Sequence, residues 1–89
     1  MNSPSIPVKK AIKIAIDNLV ATYDLNALAK PRLEETILED NGNWLITVSF
    51  TQPGIFDQRE YKTFEIDPQT GHVIAMRIRQ LSAIDGGVF

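Results

Sequence analysis

The tetrapeptide Asp40-Asn41-Gly42-Asn43 narrows the folds open to this chain more than any other feature. Asn-Gly supplies the positive φ angles of a two-residue type I′ turn. It stands between two runs, 32–39 and 44–51, rich in β-branched and aromatic residues. The spacing predicts a β-hairpin in which Asp40 pairs with Asn43. Glu39 then faces Trp44, Ile37 faces Ile46 and Leu33 faces Phe50, so Leu33, Ile37, Trp44, Ile46, Val48 and Phe50 share one side. Glu35 falls opposite Val48 on that same side. A buried carboxylate is costly unless paired, so either this strand lies near an edge and Glu35 reaches water, or a bulge shifts it.

A second hairpin follows. The runs 61–67 and 72–79 are joined by Asp67-Pro68-Gln69-Thr70-Gly71, with Pro suited to the second turn position and Gly to a left-handed one. Phe64 and Ile66 share one parity, as do Ile74, Met76 and Ile78. Aligning these sets builds an inward face and turns Thr63, Glu65, Val73, Ala75, Arg77 and Arg79 outward.

Ahead of both hairpins, Val8, Ala11, Ile12, Ala15, Ile16, Leu19, Val20 and Tyr23 recur at spacings of three and four, which predicts an amphipathic helix over 8–23. Ser5 is placed to cap it and Pro7 to sit in its first turn. Ile14 falls off the stripe, among Lys10, Lys13 and Asp17, and is expected in solvent. Residues 24–30 can form one more short helical turn, with Leu25 and Leu28 over an end of the core, before Pro31 breaks it. The expected architecture is α+β: one N-terminal helix across one face of a four-stranded antiparallel meander ordered 1-2-3-4.

At 89 residues the chain has room for one core, and it reads as a single domain with flexible ends at 1–6 and 81–89. A formal charge of −2 gives no field that would draw nucleic acid, and no apolar stretch reaches the roughly 20 residues of a membrane span. Without cysteine, neither a disulfide framework nor a thiolate metal site can form. Met1 to Val8 lacks the basic-then-apolar pattern of a signal peptide, so a cytoplasmic location is expected.

The segment Phe64-Glu65-Ile66-Asp67-Pro68-Gln69-Thr70-Gly71-His72-Val73-Ile74 resembles the end of a PepSY domain, where an apolar strand enters an Asp-x-x-Thr-Gly turn and another strand follows. The order of elements over residues 8 to 79 is similar to that family too. The resemblance implies a PepSY/cystatin-like fold of bacterial type and an inhibitory or protein-binding role without catalysis. It carries Asp67, Thr70 and Gly71 over as turn residues alone. Unlike the usual members, this sequence shows no signal peptide, membrane segment or attached peptidase.

Candidate sites are few. Glu34, Glu35, Glu39 and Asp40 could suggest a cation site, but strand alternation points Glu34 away from Glu35, and oxygen-ligand sites need several donors around one point. His72, the one histidine, has no nucleophile or orienting carboxylate near it in sequence, and Ser49 and Asp67 could reach it only through the fold. Lys9, Lys10 and Lys13 make a solvated helix face, with Lys13 and Asp17 spaced to pair. Trp44 is expected in the core, with its indole N–H needing a partner. Neither cofactor nor metal is expected.

That leaves a non-enzymatic protein-interaction or regulatory module as the leading reading. The alternative is a small-ligand binder holding an apolar or anionic molecule between helix and sheet, for which Glu35 is the one hint. The contact surface expected for a protein partner is the outer sheet face, presenting Leu38, Leu45, Thr47, Thr63, Val73, Ala75, Arg77 and Arg79, together with Ile55 and Phe56 of the 52–57 connection. The same patch could bury itself in a homodimer.

Overall fold

The computed structural model describes residues 5–51 and 59–79; Ile55, Phe56 and the C-terminal segment from Leu81 lie outside the described residues. A helix, α1 (Val8–Tyr23), precedes four strands, β1 (Arg32–Leu38), β2 (Trp44–Thr51), β3 (Arg59–Ile66) and β4 (Val73–Arg79). The strands form one antiparallel sheet in the order β1-β2-β3-β4, and the α+β arrangement is as expected.

The helix begins two residues later than it would with Ser5 as its cap. Pro7, extended at φ −72° and ψ 158°, is the N-cap, and its carbonyl accepts from the Lys10 and Ala11 N–H groups. Ser5 cannot cap because the chain there is held elsewhere: the Ile6 N–H donates to the Pro68 carbonyl at 2.8 Å, and the Trp44 indole N–H donates to the Ile6 carbonyl at 3.1 Å. These bonds strap the start of the chain across the end of the sheet where both hairpin turns lie. At the other end of α1, Asp24 adopts a left-handed conformation (φ 52°) that stops the helix. A 3₁₀ turn at Ala27–Ala29 follows, then Lys30 at φ 47° before Pro31. Leu25 packs on the core as expected, whereas Leu28 is exposed.

The first hairpin differs from the type I′ expectation. The Glu39 N–H donates to the Asn43 carbonyl and the Gly42 N–H to the Glu39 carbonyl, and of the turn residues Gly42 alone has positive φ (+91°). The loop thus holds Asp40, Asn41 and Gly42, the three-residue form with glycine in the left-handed position. A one-residue change in register exchanges the faces of a strand. Leu38 pairs with Trp44, Thr36 with Ile46 and Ile37 with Leu45, so Leu38 lies on the helix side and Ile37 on the outer side, the reverse of the expected placement.

Continued unbroken, that register would set Glu34 opposite Val48, inside. A bulge at Glu34 prevents this: Leu33 pairs with Val48 and Glu35 with Thr47, which keeps leucine on the core side and both glutamates out of it. The conflict expected at Glu35 is resolved by a bulge, one residue away.

A second bulge, at Ile74, shifts the β3–β4 register between Glu65 and Ile66. Val73 therefore packs against the core instead of facing outward. Gly71 closes this hairpin at φ +79°, its N–H donating to the Asp67 carbonyl.

The core is a single layer between α1 and the two central strands. Ala11, Ala15 and Leu19 of the helix, Ile46, Val48 and Phe50 of β2, Phe64 and Ile66 of β3, and Ala29 are fully buried. Two alanines at the contact let the helix lie close on the sheet, while Ile12 and Ile16 flank it half-buried. Ile14, expected in solvent, is also half-buried, because the helix reaches the second hairpin: a Cβ on Gly71 would stand 3.2 Å from Ile14 Cδ1. One helix does not span four strands. Ile74, Met76 and Ile78, expected inward, are exposed along β4.

Candidate functional site

Two surfaces are left for function: the sheet face away from the helix and the β4 flank of the helix side. The outer face is built on β2, whose Thr47 and Ser49 alternate with the buried Ile46, Val48 and Phe50. Although no helix among the described residues covers them, Thr47 is 1% exposed and Ser49 0%. Long side chains from the neighbouring strands seal them. The Ser49 hydroxyl donates to Glu34 and accepts from Arg59 Nε at 2.9 Å, and Arg59 Nη2 also donates to the carbonyls of Ser49 and Lys30. Arg32 donates to the same Glu34 at 2.8 Å. Farther along the face, Thr47 and Thr63 share a 2.8 Å hydrogen bond, and Arg79 donates to Thr47 and pairs with Glu35. At the turn end, Glu65 accepts from Asn43 at 2.8 Å and from Arg77 at 2.9 Å.

This network sets the carboxylate chemistry. The Ser49 hydroxyl, then Arg32, holds Glu34 below the usual glutamate range. The Asn43 amide, then Arg77, does the same for Glu65. The backbone N–H groups of Gln69 and Thr70 lower Asp67. All three are therefore set as anions that accept hydrogen bonds.

The structure gathers most of the expected contact residues. Leu45, Thr47, Thr63, Ala75, Arg77 and Arg79 share the outer face, whereas Leu38 and Val73 do not. Arg77 and Arg79, expected to meet a partner's carboxylates, are engaged with the chain's own Glu65 and Glu35. Glu34 and Glu35 do project to one side, through the bulge, but each is taken by different partners, and among the described residues no group of acidic or histidine side chains could hold a metal ion. His72 is exposed at the second turn. Ser49 pairs with Tyr61, six residues along β3 from Asp67, or roughly 20 Å at the rise of a strand, so the fold does not assemble these groups.

Sequence reasoning passed over Ser49, Glu34 and Arg59 as a unit, and Lys62 altogether. Lys62 shares parity with Phe64 and Ile66, which was the available signal, and it is buried on the helix side with its Nζ 5.5 Å from the centre of the Tyr23 ring. Tyr23 in turn stacks on Phe50 at 5.4 Å. The lysine stem thus covers the core while its charge meets an aromatic face.

The β4 flank is different in kind. Ile74, Met76 and Ile78 are 52%, 37% and 72% exposed, and they stand beside the helix on an edge strand that, among the described residues, pairs only with β3. No helix among the described residues is long and apolar enough to cross a membrane. No protein-family model, curated protein or solved structure matches this chain.

Proposed function

We propose that this domain is a non-enzymatic protein-interaction module, and that it binds through the β4 flank rather than through the outer face. The observation that carries this reading is the exposure of Ile74, Met76 and Ile78 at three alternate positions of one edge strand. An exposed apolar row on a strand that, among the described residues, is paired along one side only is a surface that other chains extend by strand addition. The outer face offers less: its buried hydroxyls are hydrogen-bonded and its arginines are paired within the chain.

The resemblance to PepSY domains supports the same class, since an inhibitory or protein-binding role is what it implies. The small-ligand alternative loses its hint, because the bulge and Arg79 account for Glu35. A photo-crosslinking residue placed at Ile78, and separately at its outer-face neighbour Arg77, tests the reading in the cell. Protein adducts are expected at position 78 and not at 77. Adducts at 77 alone would return the contact surface to the outer face.

A further inference from the structure

The two edges of the sheet are not equivalent. β1 divides its exposed apolar residues between faces, Leu33 and Leu38 on the helix side and Ile37 on the other, and is interrupted by the Glu34 bulge among Arg32, Glu34 and Glu35. Bulges and edge charges are the devices that stop strands from adding further strands. β4 has a bulge too, at Ile74, but it lies near the start of the strand; beyond it Ala75, Met76, Arg77, Ile78 and Arg79 pair regularly with β3, and Ile74, Met76 and Ile78 stand at alternate positions.

The order of residues in β4 is also self-complementary. Met76 is the midpoint of Val73–Arg79. If a second β4 runs antiparallel with Met76 opposite Met76, Ile74 of each copy meets Ile78 of the other, and the helix side carries an unbroken apolar ladder of six side chains. On the other face Arg77 meets Ala75, so no like charges stand directly opposite, and Arg77 and Arg79 keep their own partners Glu65 and Glu35. Centring on Arg77 would oppose it to itself. Centring on Ala75 would set Ile78 against His72. Of these registers, only the one centred on Met76 pairs each of Ile74, Met76 and Ile78 with another exposed apolar side chain.

Resting on the reading that the β4 flank is a binding surface, we infer that its partner is a second copy of this chain. The two β4 strands join antiparallel about a two-fold axis at Met76 and extend two four-stranded sheets into one of eight. Both helices then lie on one face, with the apolar ladder between them. An edge contact over residues 74–78 lies at the small end of specific interfaces, below about 1,200 Å², so a dimer in exchange with monomer is expected. A two-fold contact closes on itself, whereas β4 on β1 of the next copy would propagate.

The absence of cysteine makes the register directly testable. Opposed strand residues have Cβ atoms about 4.5–5.5 Å apart, close to disulfide reach, so Met76→Cys should cross-link to dimer under mild oxidation at least about tenfold faster than Ile37→Cys on β1. Sedimentation velocity of the unaltered chain should show a monomer–dimer equilibrium with nothing larger. Met76→Glu, which sets two carboxylates against each other, should abolish it at neutral pH. Ile78→Glu, at a more exposed position, should do the same, each variant retaining the wild-type circular dichroism spectrum. A chain that is monomeric at millimolar concentration, one that forms open-ended oligomers, or equal cross-linking at positions 76 and 37 would overturn the inference. If the chain is monomeric yet position 78 cross-links to a different protein, self-pairing is overturned and the protein-binding reading stands. If it is monomeric with no adduct at 78, both are overturned.

Discussion

The two faces of β2 reach the same degree of burial by different physics. On one side Ile46, Val48 and Phe50 are dry because a helix and apolar neighbours cover them; on the other, Thr47 and Ser49 are dry because Arg–Glu pairs lie over them. The apolar face gains from every methylene removed from water. The polar face gains little net from each hydrogen bond but loses much if one partner is removed, because the other is left buried and unsatisfied. Side chains of an antiparallel sheet can therefore order its second face by their own hydrogen bonds, as Thr47 and Ser49 show.

The largest test of the contrast is Ile46→Ala. It opens a cavity beneath the helix and should lower the unfolding free energy by about 2–5 kcal/mol. Urea unfolding followed by the fluorescence of Trp44, the single tryptophan, measures it. A loss no greater than that of Ser49→Ala would mean that the helix face is not the dominant source of stability.

Ser49→Ala removes one hydroxyl from the other face and with it a hydrogen bond to each of two charged groups, Glu34 and Arg59, so a loss of about 1.5–3 kcal/mol is expected in the same assay. The same network governs the acid limb. Glu34 and Glu65 have folded-state pKa values below their unfolded ones, so they bind protons less readily when folded. Their stabilisation is complete above the ordinary glutamate value of about 4.3 and is lost as pH falls through the lowered values. Asp67 behaves likewise about its own ordinary value. Stability measured from pH 6 to pH 2 should fall in wild type, and Ser49→Ala should flatten that slope by removing the first cause of the Glu34 shift.

The turns sharpen the comparison at smaller scale. Gly71→Ala places a side chain at φ +79° and 3.2 Å from Ile14, where helix and sheet meet, and should cost about 1–2 kcal/mol from the backbone alone, with more from the contact. Gly42→Ala carries a similar backbone cost, but its Cβ would meet only Pro68 at an ordinary 3.8 Å. Gly71→Ala should therefore lower the melting temperature more than Gly42→Ala. The smallest effect is expected from Arg77→Ala. Its pair with Glu65 is solvent-screened on the arginine side, and Asn43 remains to hold the carboxylate, so the urea midpoint should barely move.

Periodicity and turn chemistry together determined the element order, the antiparallel meander and the helix from Val8 to Tyr23, because each depends on contacts close in sequence. They also marked Ile46, Val48, Phe50, Phe64 and Ile66 as one buried face, since strand parity survives small errors in strand ends. What only the tertiary structure decided was the register of the outer strands. The choice between a two- and a three-residue loop at Asn41-Gly42 is local, but it reversed the faces of Ile37 and Leu38, and the compensating bulge at Glu34 arises because Leu33 must reach the core while the glutamates must not. The displacement of Ser5 as cap likewise depended on Trp44 and Pro68, far away in sequence. The candidate site was legible in composition and not in place. That β4 would carry apolar residues was written in the chain, but their exposure followed from the width of one helix set against four strands, a fact of packing that no single segment contains.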